Sequence, residues 1–241
     1  LPCGRPMVSG PEFSILLLTY TRPDLLEQRL REIATLCPVP GLYEVVVGDN
    51  GSPNREASLV VATFQVSGPA GFPVRPVRIS PNAGFGRGFN ALMEHARGEY
   101  WACLSDDVRV TGDLIAELKN AFRNAPGGLV CQRIIDWPAG WNQFADTLVE
   151  YPEGYFLAAH RDVWGTLGYF DPRFYPNDYE DVDLGRTAWS KGVPLVPWPS
   201  LPLVHTGAQT VGHSPERFRQ TIAMRAVFAE KWALPNIPER P

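Results

Sequence analysis

Seven residues near the start, Phe13-Ser14-Ile15-Leu16-Leu17-Leu18-Thr19, leave this chain little freedom in what it can become. A strand with one wet face alternates apolar and polar residues. A near-continuous apolar run is instead the pattern of a parallel strand covered on both faces. Such a strand needs parallel neighbours and crossover helices, so the expectation is an α/β chain built from repeated strand–helix units.

The following residues supply those units. Thr21 is expected as an N-cap, Pro23 suits a first helical turn, and Leu26, Leu30 and Ile33 share one helix face. Tyr43-Glu44-Val45-Val46-Val47 reads as a second buried strand, closed by Gly48-Asp49-Asn50-Gly51-Ser52. An Asp at that strand end is either an Asx turn or a ligand contact. A helix is expected over 55–64 and a strand over 74–79. Asn82-Ala83-Gly84-Phe85-Gly86-Arg87-Gly88-Phe89-Asn90 then opens another helix. Its glycines allow close backbone approach to a phosphate, although the spacing is neither GxGxxG nor a P-loop.

Tyr100-Trp101-Ala102-Cys103-Leu104 is the next strand, and it runs into Ser105-Asp106-Asp107. Adjacent carboxylates at a buried strand end need a counter-charge. They are either an Asp-rich turn before the helix start Thr111-Gly112-Asp113-Leu114, or hard oxygen ligands for Mg²⁺ or Mn²⁺ beside a phosphate-bearing ligand. Beyond residue 122 the pattern loosens. Strands are expected over 129–135, 154–159, 193–198 and 203–205, with a loop holding Trp137 and Trp141 between the first two. Glu180-Asp181-Val182-Asp183 opens a helix, and Ser214-Pro215-Glu216 opens a last one carrying Phe218, Ile222 and Trp232.

Composition excludes some classes. A net charge of −4 leaves no basic footprint for nucleic acid, and the longest apolar run is far too short for a bilayer. With no apolar leader in view, a cytoplasmic location is expected, with peripheral contact at the inner face of the membrane left open. Cys3, Cys37, Cys103 and Cys131 lack metal-site spacing and read as free thiols.

In this order the motifs resemble the family 2 glycosyltransferases of the GT-A fold, especially rhamnosyl- and galactofuranosyl-transferase-like members. The resemblance runs from Phe13 to His205 and implies a single GT-A (Rossmann-like) domain over 11–210. Its central sheet is mostly parallel, with helices on both faces, and a C-terminal loop and helix over 211–241 packs on the same domain. It implies that Thr19, Tyr20 and Arg22 lie beneath a nucleobase and that Asp49 accepts its N–H. Asn82, Gly84, Arg87 and Asn90 would flank the diphosphate, with Ser105 and Asp106 beside it. Ser105-Asp106-Asp107 stands where the family carries D-x-D, with Ser105 in place of the first Asp. Asp107 and the late His205 are then the metal ligands, and Asp181 of the Glu180-Asp181-Val182-Asp183-Leu184 block is the base. Glu180, Gly154, Trp137 and Trp141 are placed near the donor sugar or acceptor.

The function so implied is Mn²⁺- or Mg²⁺-dependent transfer of one sugar from a UDP- or dTDP-sugar to a hydroxyl of a glycan or lipid-linked acceptor, as in polysaccharide assembly. One base implies inversion, and the lack of Q-x-x-R-W implies single additions. The rival readings are a nucleotidyltransferase and a non-catalytic sugar-nucleotide-binding module. Against the first, 19–24 holds one Arg and no Gly where such enzymes carry a Gly-rich loop.

Overall fold

The computed structural model describes residues 10–135, 143–144, 147–206 and 214–235. The first half alternates β1 (Phe13–Thr19), α1 (Pro23–Leu36), β2 (Tyr43–Asn50), α2 (Glu56–Ser67), β3 (Val74–Ile79), α3 (Phe85–Met93) and β4 (Tyr100–Ser105). A short β5 (Val108–Val110) and α4 (Leu114–Asn124) follow. The second half is more broken: β6 (Leu129–Cys131), β7 (Ile134–Ile135), β8 (Gln143–Phe144), β9 (Thr147–Leu148), β10 (Tyr151–Pro152) and β11 (Phe156–His160). Then come α5 (Arg161–Leu167), α6 (Glu180–Ser190), β12 (Leu195–Pro197), β13 (Leu203–His205) and α7 (Pro215–Lys231). No helix of the described residues is long and apolar enough to cross a membrane.

Seven strands form one sheet in the order β12-β6-β11-β4-β1-β2-β3. β1 pairs in parallel with β2 and β4, and only β11 runs against its two neighbours. The apolar run of β1 is explained by its central place: Phe13, Ile15 and Leu17 enter one core, and Leu16 and Leu18 enter the other. The first core is closed by α1, α2 and α4, the second by α3, α5 and α6. Each such fully buried side chain contributes roughly 1.5–3 kcal/mol through removal from water. A third, smaller core joins Met224 and Phe228 of α7 to Phe144, Phe174, Tyr179 and Val182.

Two local expectations are corrected. The N-cap of α1 is Arg22, not Thr21, and it makes no side-chain cap bond. The strand expected over 129–135 breaks at Gln132, whose side-chain amide donates to the carbonyls of Leu201 and Leu203. On α7, Phe218 and Ile222 are 49% and 38% exposed, because Met224 and Phe228 take the inward face. Cys37, Cys103 and Cys131 are buried free thiols, as expected; Cys3 lies outside the described residues.

Candidate active site

A cavity of about 700 Å³ opens at the carboxyl ends of β1, β2 and β4, where an open α/β sheet places its ligands. Ser105 ends β4, and the turn to β5 carries Asp106 and Asp107. Thr19, at the end of the neighbouring β1, donates its hydroxyl to Asp106 Oδ2 at 2.7 Å, which anchors this buried carboxylate. β13 pairs antiparallel with β5 and sets His205 opposite Val108, one residue beyond Asp107. Thr206 then ties its N–H and hydroxyl to the Asp107 carbonyl at 3.2 and 2.7 Å. The result is His205 Nε2 at 3.5 Å from Asp107 Oδ2, with both residues on the cavity wall.

Two residues that sequence reasoning missed hold His205 there. The Tyr155 ring stacks on its imidazole with centroids 4.3 Å apart, and Tyr155 Oη donates to Gln132 Oε1 at 2.5 Å. Gln132 is also the residue that clamps the chain just before and within β13.

Asp181 stands in the first turn of α6, whose N-cap Tyr179 has a left-handed backbone. Gly154 N–H donates to Asp181 Oδ2 at 3.0 Å and Val182 N–H to Oδ1 at 2.8 Å. A Cβ on Gly154 would sit 3.0 Å from that carboxylate, so a larger residue there would have to push Asp181 back by a few tenths of an ångström. Burial raises the Asp181 pKa from 3.8 to about 6; the two amides pull it down and the charge of Asp178 adds to the rise. A carboxylate tuned towards neutrality inside a cavity is suited to general-base work. Burial pushes its neighbour Glu180 well above the ordinary range, again helped by the adjacent charge of Asp181.

The other expected residues divide. Tyr20, Asn82, Gly84, Ser105, Gly154 and Glu180 line the cavity. At Gly84, φ is +80° and any side chain would collide with the Pro176 carbonyl, so the backbone passes where only glycine fits. Arg22, Asp49, Arg87 and Asn90 are not among the lining residues. Arg22 pairs with Asp24 at 2.7 Å, and Arg87 donates to the Pro172 carbonyl and lies over the Tyr175 ring. Asn90 exchanges two hydrogen bonds with the backbone of Phe170, so it braces the wall behind the site.

Asp49 is the largest departure. It is fully buried, and its oxygens accept from Arg78, from Ser52 N–H and from the Ser58 hydroxyl and N–H. Burial raises its pKa, but these donors outweigh it and hold the group ionised below its ordinary value. The carboxylate expected to meet a nucleobase is turned to the protein's own donors. Its neighbour Asn50 lines the cavity instead and, through Gly84 O and Ala83 N–H, fixes the turn before α3. Trp137 and Trp141 lie outside the described residues.

The donor set can be tested against a divalent ion. Among the described residues no group of three or more His, Cys, Asp or Glu side chains could hold one alone. One carboxylate and one imidazole 3.5 Å apart on a cavity wall do fit an ion that completes its shell with phosphate oxygens. Asp106 and Glu153, which also line the cavity, disfavour an anion unaccompanied by a cation.

Comparisons with known proteins agree on the fold. The mannosyltransferase PcManGT of Pyrobaculum calidifontis, solved with GDP-Man and Mn²⁺, superposes with a TM-score of 0.67 at 19% identity. That match covers 94% of this chain and 65% of the other. S. aureus TarS in complex with UDP-GlcNAc gives 0.62 at 14% identity, over 90% of this chain and 66% of the other. GalNAc-T7 with UDP, GalNAc and Mn²⁺ gives 0.69 at 16% identity, over 90% and 48%. The chain has the GT-A, Rossmann-like fold of these enzymes, with a mixed sheet and flanking helices. An uncharacterized glycosyltransferase of Bacillus subtilis, YfnE, is 34% identical over 89 residues, which are 37% of this chain and 21% of YfnE. The chain thus spans about a fifth of that curated relative. The family model described as glycosyl transferase family 2 matches residues 14–175, from β1 almost to α6, and the chain belongs to that family.

Proposed function

We propose that this chain transfers one sugar from a nucleoside diphosphate sugar to an acceptor hydroxyl, with inversion at the anomeric carbon. The observation that carries the reading is the convergence of Asp181 with the Asp107–His205 pair on one cavity, from three elements distant in sequence. Asp181, held by the Gly154 and Val182 amides, takes the proton of the attacking hydroxyl. The acceptor oxygen bonds to the anomeric carbon as the bond to the diphosphate breaks, and that electron pair leaves with the diphosphate. With one base placed for the acceptor, attack opposite the leaving group is the simplest course.

Asp107 and His205 would hold Mn²⁺ or Mg²⁺, which when bound offsets the charge that develops on the departing diphosphate. Mn²⁺ in the PcManGT and GalNAc-T7 complexes supports this. Those complexes and TarS also carry GDP-Man, UDP with GalNAc, and UDP-GlcNAc, which supports the donor class. Within it we assign a UDP- or dTDP-sugar, and as acceptor a glycan or lipid-linked hydroxyl reached at the cytoplasmic face of a membrane. With Asp49 turned inward, Asn50 and Tyr20, which line the cavity at the ends of β2 and β1, would meet the nucleotide end.

Calorimetry with UDP, dTDP, GDP and CDP, with and without Mn²⁺, tests the reading directly. Metal-dependent binding, tightest for UDP or dTDP and abolished by EDTA, is expected. Equal binding after exhaustive chelation would remove the metal role, and a preference for CDP would remove the base assignment. The anomeric coupling constant of the product reports inversion or retention.

A further inference from the structure

The strand beneath Asp107 has little to stand on. β5 is three residues long, lies outside the seven-stranded sheet, and among the described residues has β13 as its one strand neighbour. Yet it must hold Asp107 on the turn before it and, through β13, His205 opposite. Thr111 N–H crosses to the Pro202 carbonyl, so the Val110 N–H one residue earlier points away from β13. An edge amide of this kind needs an acceptor from elsewhere. The acceptor comes from α1: Glu32 Oε2 takes the Val110 N–H at 2.8 Å. Glu32 Oε1 accepts from Arg29 Nη2 at 2.9 Å and lies 3.6 Å from Nε of Arg109, on β5 itself. α1 is a firm anchor for this contact, because Leu26, Leu30 and Ile33 fix it in the first core.

Arg29 shows that the contact is built rather than incidental. Its side chain is 1% exposed, and its Nε is buried without a hydrogen-bond partner among the described residues. Taking a guanidinium out of water is costly, and an apolar residue of like size commonly serves stability as well or better. Packing therefore does not account for Arg29, whereas holding the Glu32 carboxylate at one point does. Its charge also acts on Asp106 and Asp107 across the turn. From inside the protein it thus supplies part of the counter-charge that two adjacent carboxylates require.

We propose that Glu32, pinned by Arg29, is a positioning residue for the metal site: its bond to Val110 sets β5, and with it the separation of Asp107 from His205. The inference rests on the reading of Asp107 and His205 as metal ligands, although its first readout needs no metal. Two double variants differ in a single acceptor. Arg29→Met/Glu32→Gln removes the buried charges and keeps a side-chain oxygen for Val110, and Arg29→Met/Glu32→Met removes that oxygen too. Replacing the whole ion pair avoids leaving one charge buried alone. In the metal-free chain, the His205 ring resonances should match the wild type in the first variant and be shifted and broadened in the second. Mn²⁺ affinity in the presence of UDP, by calorimetry, should stay within about threefold in the first and fall about tenfold in the second, at similar Tm. By reciprocity, Mn²⁺ with UDP should raise the protection of the wild-type Val110 amide against hydrogen exchange by about the same factor.

Unshifted His205 signals with equal Mn²⁺ affinity in the two variants would reduce the pair to packing and overturn the proposal. Equal losses in both would assign the effect to charge rather than to the Val110 bond, and would overturn it as well. If the methionine pair does not fold, the wild-type amide carries the test, and a Val110 protection unmoved by Mn²⁺ and UDP would sink it. A wild-type chain that binds no Mn²⁺ would remove the metal reading but not the clamp, which the His205 resonances then decide.

Discussion

The two halves of the sheet are built differently. From β1 to β4 the strands are six to eight residues long and parallel, and all but the edge strand β3, which carries Arg75 and Arg78, are mostly apolar. Beyond α4 the strands shorten to between two and five residues, and ion pairs tie down the segments between them. Lys231 bridges Asp171 and Asp183 at 2.8 and 2.7 Å, Arg217 holds Asp178, and Arg133 holds Glu153. The chemistry straddles the boundary: Asp107 comes from the apolar half, Asp181 and His205 from the polar one.

The largest effect should come from the polar half and be confined to rate. Asp181→Asn should lower turnover by about 10²–10⁴-fold while leaving nucleotide affinity near normal, as steady-state kinetics beside calorimetry would show. With the Asp181 pKa raised by burial to about 6, the wild-type rate should fall as pH drops through that value, because the base becomes protonated. For stability the sign is opposite: the folded chain holds this proton more tightly than the unfolded one. The group's contribution is therefore full below its ordinary value of 3.8 and is lost as pH rises through about 6.

Next should come the apolar half. Ile15→Ala, at a fully buried position of the central strand, should cost about 2–5 kcal/mol in urea unfolding, with activity per folded molecule retained. Lys231→Met should cost less, about 1–3 kcal/mol, because among the described residues it leaves Asp183, 3% exposed, with Trp232 Nε1 alone as a side-chain donor. That loss should shrink at low pH, since burial already raises the Asp183 pKa and the protonated acid no longer needs Lys231. Smallest is Arg31→Ala, which breaks an exposed pair with Glu27; a shift within about 0.5 kcal/mol, erased by salt, is expected. A Lys231 variant as damaging as Ile15→Ala would erase the contrast between the halves.

The same contrast explains what could be read from the residues alone. The apolar runs of β1 and β2 and the helix start at Thr111-Gly112-Asp113-Leu114 are local signals, and each lies where expected. Strand direction is not a local property, so β11, antiparallel within a mostly parallel sheet, left no mark in its own residues. Gln132 breaks a strand because of carbonyls some seventy residues away, which no window around it contains. Asp49 has the chemistry of a ligand contact, and only the folded chain shows Arg78, Ser52 and Ser58 already occupying it. Arg217 did leave a trace, a cation in the first turn of a helix. That trace acquires meaning only once Asp178 is seen beside it.

The pairing of β13 with β5 has a consequence in time as well as in space. A chain made from its N-terminus can complete β1 to β4, and with them the floor of the cavity, while His205 is still unmade. Contacts that join residues about a hundred positions apart form late, because closing so long a loop must precede any gain from it. During synthesis the Asp107 carboxylate therefore stands without its imidazole neighbour for as long as the intervening segment takes to appear. A folding experiment following Mn²⁺-dependent nucleotide binding should see that signal arrive after the burial of the β1 core, as a separate and slower phase.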